Sequence, residues 1–254
     1  MSRMLNLLLA SLPRKAWAQL KPQLTPVDLA FGEVLYEPGQ PMRDVYFPIE
    51  GLVSLLALEG SHLALEVGMV GREGMVGVPL ALGVTRSPIR AVVQGAGSGL
   101  RMSKARFDMA MGGSPPLRKV LLLYASTLMG QFARTAACNR FHVVESRLAR
   151  WLLMTRDRAG SADFLMTQEF LSSMLGVRRV GVSAAASTFQ RRKLIEYSRG
   201  HIRILDHAGL EAACCTCYRD EPVALPRWRP APGDSLATSE EPKTSRTGRV
   251  SGST

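Results

Sequence analysis

The chain has 254 residues, is 46% hydrophobic by count, and carries 32 Lys and Arg against 21 Asp and Glu, a formal net charge of +11. That is enough apolar residue for a packed core, and at a soft prior of about 150 residues per domain it predicts one or two domains. No window holds about 18 consecutive apolar residues, which excludes a membrane-spanning helix, and the short run Leu5-Asn6-Leu7-Leu8-Leu9-Ala10 before Pro13-Arg14-Lys15 has the wrong length and flank for a secretory signal, so a cytoplasmic chain is expected.

In chain order, residues 4–30 begin with Leu5, Leu8, Leu9, Leu12, Ala16 and Leu20 at helical spacings of three and four, until Pro22 and Pro26 end the pattern. Residues 31–108 change to period two: Val34 and Tyr36, then Val45, Phe47 and Ile49, then Val53 and Leu55, then Leu63, Leu65 and Val67, then Ala91-Val92-Val93. Turn signals every 8–12 residues separate these runs, the pattern of an antiparallel sandwich or barrel. Gly95-Ala96-Gly97-Ser98-Gly99-Leu100 half-matches a dinucleotide loop, but its sixth position is Leu and no helix follows, so it reads as a turn, as does Gly71-Arg72-Glu73-Gly74.

From residue 115 the helical period returns. Leu117, Leu121, Tyr124, Leu128, Gln131 and Thr135 repeat at alternating steps of four and three, an a/d seam. Leu122, Met129 and Phe132 are apolar off that seam. A helix with two apolar faces needs two partners, which predicts packing on the β-rich region and on a second copy of the chain in a two-fold dimer. Residues 142–205 are helical again and end in a short hairpin. From 219 onward, five prolines among Ser, Thr and charged residues leave no apolar period, and a disordered tail is expected over 219–254.

The charge follows this division. Residues 1–114 carry a net +2, residues 115–205 a net +10, and residues 206–254 a net −1. A basic excess confined to one block suits a polyanionic partner.

Within that block, Thr167 caps a predicted helix starting at Gln168, with Glu169 near its positive end and Leu171, Met174 and Leu175 forming its apolar stripe. Gly176 permits the left-handed residue of a sharp turn. A second helix follows from about Arg179 to Lys193, with Val182, Ala185, Ala186 and Phe189 facing one way. Small Ser172, four residues before the glycine, allows the two helices to touch. The unit reads as a helix-turn-helix. Arg178 and Arg179 stand at the start of its second helix, where a guanidinium donates a bidentate pair to guanine. Val180, Ser183, Ala184 and Thr188 share the outward face, and Gly181, Ala184 and Ala185 are small enough for close approach to a groove. Arg191, Arg192 and Lys193 are positioned for phosphates. Leu194–Tyr197 and His201–Leu205, joined at Ser198-Arg199-Gly200, form a wing with Arg199 and His201 at its tip.

The whole layout resembles the Crp/Fnr family of bacterial transcription regulators. Leu35-Tyr36-Glu37-Pro38-Gly39 with Val45-Tyr46-Phe47 is similar to the family's early β-roll strands, Glu145–Leu153 to the helix after its hinge, and Thr167–Ile195 to its DNA-reading unit. The resemblance covers about residues 20–210. It implies an α+β chain: an N-terminal antiparallel β-roll (a jelly-roll of the cyclic-nucleotide-binding type) over 1–114 with an N-terminal helix, a long dimerisation helix and hinge over 115–140, and a winged helix-turn-helix over 141–210. It implies a homodimer on a pseudo-palindromic duplex, an unidentified small-molecule effector, and RNA polymerase as a further candidate partner.

The departures are informative. Members of the family that bind cyclic nucleotides use a Gly-Glu pair for the ribose hydroxyls and a later Arg for the phosphate. The matching positions here are Gly77 and Val78, then Arg90-Ala91, so the carboxylate is missing and cyclic AMP is not the expected effector. No cysteine precedes Cys138, which argues against the N-terminal iron–sulfur set of the oxygen-sensing branch. The family's common glutamate after the first arginine is Val180, and its later arginine is Ala184; a different operator is expected.

No hydrolase, kinase or protease motif occurs, and no catalytic role is expected. His62, His142, His201 and His207 are scattered without metal spacing, His142 and His207 reading as helix-end residues. Cys214 and Cys217 form a formal C-x-x-C without a second pair, so neither a metal nor a cofactor is expected, and the cysteines read as reduced and structural. Two competing readings are a sensing module whose helical end binds protein, and a redox enzyme using Cys214 and Cys217.

Overall fold

The computed structural model describes residues 6–60 and 63–219. The expected tail over 219–254 therefore lies, past its first residue, outside the described residues. No helix among those described is long and apolar enough to cross a membrane.

The N-terminal apolar period does not form one helix. It splits at Ser11-Leu12-Pro13 into α1 (Leu7–Ala10) and α2 (Arg14–Leu20), and a strand, β1 (Thr25–Leu29), already begins before residue 30. Pro13 explains the break, because it has no amide hydrogen to continue the helix and stands extended as the N-cap of α2. Asn6 caps α1: its side-chain oxygen accepts from the Leu9 amide at 3.2 Å, while its amide donates to the carbonyls of Pro48 and Gly74 at 2.8 and 2.7 Å. That pins α1 on the β-domain, and Leu8, Leu9, Leu12, Ala16 and Leu20 are buried.

The period-two runs become β2 (Val34–Tyr36), β3 (Asp44–Pro48), β4 (Leu52–Glu59), β5 (Leu63–Val70), β6 (Arg90–Gly95) and β7 (Gly97–Ser103), with a short helix, α3 (Val78–Ala81), between β5 and β6. They form two antiparallel sheets, in the orders β2-β6-β4-β5 and β1-β7-β3. The glycine-rich segment is a correction: Gly97–Ser103 is the central strand of the second sheet rather than a turn. Its glycines admit a close crossing of backbones, since a Cβ on Gly97 would lie 2.3 Å from the Glu50 carbonyl oxygen.

A helix unanticipated from the sequence, α4 (Lys104–Gly113), leads into α5 (Pro115–Phe141), 27 residues long. Ser114 caps α5, and Pro115 and Pro116 occupy its first turn, where a missing amide costs nothing. Then come α6 (Val144–Ala159), β8 (Asp163–Leu165), α7 (Gln168–Leu175), α8 (Arg179–Arg191), the hairpin β9 (Ile195–Ser198) and β10 (His201–Ile204), and two short helices, α9 (His207–Ala213) and α10 (Thr216–Arg219). The strand β8 extends the hairpin to a three-stranded sheet, β8-β10-β9.

Two cores result. The first fills the β-roll and is closed by α1, α2 and the inner face of α5. The second joins Leu148, Leu152 and Leu153 of α6 to the winged helix and, on its other side, to Leu52, Leu56 and Met69 of β4 and β5. The two domains thus share one apolar core.

The dimer seam is corrected by this packing. Leu117, Leu121, Tyr124 and Leu128 are buried in the chain's own β-domain core, and Gln131 and Thr135 are buried within the same chain, Thr135 accepting from Arg150 of α6 at 3.4 Å. Gln131 accepts from the Met69 amide at 2.9 Å, which explains a polar residue in that row. The opposite row, Leu122, Ser126, Met129, Ala133 and Ala136, is exposed. Both rows repeat at steps of four and three, so periodicity alone could not say which faced inward.

Candidate nucleic-acid interface

The helix-turn-helix forms where its local signals put it. The Thr167 hydroxyl accepts from the Phe170 amide at 3.1 Å, capping α7. Gly176 ends α7 with φ of 60°, the left-handed geometry a glycine adopts freely. Leu171, Met174, Leu175, Val182, Ala185, Ala186 and Phe189 are buried, so the apolar stripes of both helices meet. Ala185 is therefore core and does not face a groove, and Gly181 looks toward Val144 of α6, where a Cβ would meet it at 3.8 Å.

The outward face of α8 is polar and small. Arg178 is its N-cap residue and Arg179 its first helical residue, both exposed, and neighbouring Val180 is 75% exposed. Ala184 is exposed, and Ser183 and Thr188 are half-buried on the same side. Arg191, Arg192 and Lys193 are exposed at the far end, where Arg191 donates to the Thr188 hydroxyl at 3.0 Å. At the N-terminus of α7, Thr167 is exposed and Gln168 half-buried.

The wing is tied to this unit. Tyr197 donates its hydroxyl proton to the Met166 carbonyl at 3.0 Å, and Gln190 donates to the Tyr197 carbonyl at 3.0 Å. The turn residues Arg199 and Gly200 have φ of 49° and 83°, the two positive values of a tight hairpin. Arg199 and His201 are exposed at the tip, whereas Arg203 is held by Asp163 at 2.7 Å. The surface therefore offers paired arginines at a helix start, a cationic helix end and a cationic loop, with small residues between. That is a shape and charge for a groove edged by phosphates.

The domain contact behind this surface is polar as well as apolar. Trp151 donates to one oxygen of Glu66 at 2.9 Å, and the Ser54 hydroxyl donates to the other at 2.5 Å. Burial pushes the Glu66 carboxyl up to about 7, against the lowering pull of those two hydrogen bonds and of Arg158 and Arg150. Arg158 and Glu73 form a largely buried ion pair at 2.8 Å.

A cavity lies at the positions expected for an effector pocket, and its lining is almost wholly apolar. A cavity of about 130 Å³ is lined by Tyr36, Met42, Gly77, Val78, Ala91 and Ile89 from the β-roll and by Leu128, Met129 and Phe132 from α5. Val78 is buried in it. Arg90 does not line the cavity; it pairs with Glu37 at 3.0 Å at the domain surface.

One grouping appears only in the fold. Cys138, His142, Cys215 and Cys217 bring their ligand atoms within 4.8 Å of one another, which corrects the expectation that His142 and the cysteines are separate structural residues without metal spacing. The signal was a C-x-x-x-H pair and a C-x-C pair, not the formal C-x-x-C.

Residues 146–213 match the family model of the Crp-like helix-turn-helix domain. No curated protein matches the chain. Among solved structures, FixK2 from Bradyrhizobium japonicum superposes with a TM-score of 0.64 at 15% identity, over 76% of this chain and 98% of that one. The c-di-GMP responsive global regulator CLP from Xanthomonas campestris gives 0.62 at 16% identity, over 75% and 98%. A Crp/Fnr-family transcriptional regulator from Thermus thermophilus gives 0.60 at 21% identity, over 78% and 100%.

Proposed function

From a chain with the Crp/Fnr-type DNA-binding transcriptional regulator fold and a Crp-like helix-turn-helix domain, we propose a sequence-specific regulator that binds a pseudo-palindromic duplex as a homodimer. The observation that carries this reading is the exposure of Arg178 and Arg179 together at the start of α8, with Arg191, Arg192, Lys193 and Arg199 around them. The paired arginines read base edges, and the others hold phosphates.

The exposed heptad row of α5, Leu122, Ser126, Met129, Ala133 and Ala136, is the seam for the second copy. Two recognition helices related by that two-fold enter successive major grooves roughly 34 Å apart.

The sensing chemistry is not that of a cyclic nucleotide. A cyclic phosphate needs a cation and ribose needs an acceptor; the cavity offers Val78 and Ala91, and Arg90 is engaged by Glu37. A small apolar effector suits this lining. Met129 touches the cavity and also belongs to the exposed row of α5, so filling the cavity repacks the seam on which the spacing of the recognition helices depends.

Selection of duplexes from a random pool by the purified chain, followed by titration at two salt concentrations, tests the reading. Binding should weaken steeply with salt, by a logarithmic slope of about −0.9 per phosphate neutralised. Absence of duplex binding at low salt sinks it.

A further inference from the structure

The hinge between α5 and α6 holds a group of side chains that DNA reading does not use. Cys138 lies in the last turn of α5, and His142 is the residue that caps that helix, so the two fall one helical turn apart on one side. Cys215 immediately precedes α10, and Cys217 lies within it. The Cys138 and Cys215 sulfurs are 3.6 Å apart, and the Cys217 sulfur is 3.6 Å from His142 Nδ1. All four ligand atoms lie within 4.8 Å of one another.

Two of the six edges have the length a tetrahedral site needs, and the other four are no longer than 4.8 Å. With metal–sulfur bonds of about 2.3 Å and metal–nitrogen bonds of about 2.0 Å, a tetrahedral zinc site has sulfur–sulfur edges of about 3.8 Å and sulfur–nitrogen edges of about 3.5 Å. The three cysteines are free thiols, with Cys138 1%, Cys215 8% and Cys217 8% exposed, so the site is closed to solvent on most sides. Two buried arginines line the same small cavity as Cys138. Arg147 and Arg150 are 8% and 6% exposed on the adjacent turns of α6, and the Nε of Arg147 is buried without a hydrogen-bond partner. Three thiolates, one neutral imidazole and a divalent ion sum to a single negative charge, which those guanidiniums offset.

We propose that Cys138, His142, Cys215 and Cys217 bind a zinc ion that fastens the last helix of the described chain to the hinge. Four protein ligands with no open position make it a structural rather than a catalytic site. Soft thiolates with one imidazole favour zinc over the hard divalent cations. The three thiols bind as thiolates and give up their protons to solvent, so uptake is weaker at low pH. Cys214, beside the set but outside it, is not a ligand. The proposal does not rest on DNA reading and stands or falls without it.

The test uses the untagged full-length chain purified in reductant. About one zinc per chain is expected, and replacement by cobalt should give the visible ligand-field bands of a tetrahedral site together with thiolate-to-cobalt charge transfer. Cys217→Ser and His142→Ala should each lower metal affinity at least tenfold, whereas Cys214→Ser should keep the full metal content and spectrum. Chelation of the wild-type chain, which needs no mutation, should lower its melting temperature and expose the segment after residue 206 to protease, and zinc should restore both. No cobalt spectrum in the reduced wild-type chain would overturn the site. So would iron with acid-labile sulfide in place of zinc, or equal metal content in all the variants. Bound zinc with unchanged protection on chelation would overturn its fastening role.

Discussion

The β-domain and the winged helix use their polar residues in opposite ways. The β-domain turns its cavity inward, lines it with apolar side chains and keeps Arg90 outside, engaged by Glu37. The winged helix turns its cations outward and keeps its apolar stripes against α6. The proposed sensing of a small ligand gains from a dry interior, which desolvates it; the proposed reading of a polyanion needs charge presented without burial. The two domains are in direct contact, with an open cleft of about 790 Å³ between the ends of β4 and β5 and the turn of the helix-turn-helix. They share the core around Leu52, Leu56 and Leu152, crossed by Trp151 to Glu66 and Arg158 to Glu73. The two domains are therefore mechanically continuous, and a change at β4 or β5 reaches α6 by direct contact.

The largest expected effect breaks the reader alone. Arg178→Ala with Arg179→Ala removes two groups proposed to bind base edges, each worth about 1–3 kcal/mol of discrimination. Affinity for a selected duplex should fall by about 2–6 kcal/mol, with a much smaller loss on random duplex. Equal losses on both, measured by titration at one salt concentration, would mean that these arginines hold phosphates instead.

Next is the shared core. Leu152 is fully buried, and Leu152→Ala should cost about 2–5 kcal/mol of stability. If the two domains are one cooperative unit, calorimetry should show a single transition moving to lower temperature. Two transitions of which only one moves would show that the domains unfold independently.

A comparable but pH-dependent effect lies at Glu66, whose carboxyl is raised from 4.5 to about 7 because burial disfavours its charge. The folded chain holds that proton between those values, while the unfolded chain releases it. The contribution to stability is thus complete below about 4.5 and is lost as pH rises through 7, amounting to about 3 kcal/mol. Denaturant titrations of Glu66→Gln between about pH 5 and pH 8 should be flatter than those of the wild type. Identical slopes would remove Glu66 as the titrating group.

Much of the winged helix was legible because its determinants are local. Thr167, Gly176 and the stripe around Val182 act within a few residues of where they stand, and the Arg199-Gly200 turn fixes its own hairpin. What was not legible depended on pairing across long separations. Gly97–Ser103 is a strand because β1 and β3 flank it, and the seam of α5 faces inward because its leucines join the β-roll core and β5 offers a partner to Gln131. The same limit hid the four-residue cluster: Cys138 and Cys215 are 77 positions apart, and no spacing rule links them. The cationic surface could be read from the sequence, whereas the inner lining of the cavity required the fold.

The smallest expected effect sharpens the distinction between holding and reading within the winged helix itself. Arg192 is exposed at the far end of α8 and is proposed to meet a phosphate, whereas Val180 is exposed near the start, where base edges are reached. Arg192→Ala should weaken binding by about 1 kcal/mol on every duplex alike and reduce the logarithmic salt slope by about 0.9, because one fewer counterion is released. Val180→Glu should instead leave the salt slope of its best site nearly unchanged and move the preferred sequence, since a carboxylate accepts from cytosine N4 where valine cannot. Parallel selections with the two variants separate the roles. If Arg192→Ala shifts the preferred sequence while Val180→Glu does not, α8 lies in the groove with the opposite end inward, and the positioning of its two ends must be exchanged.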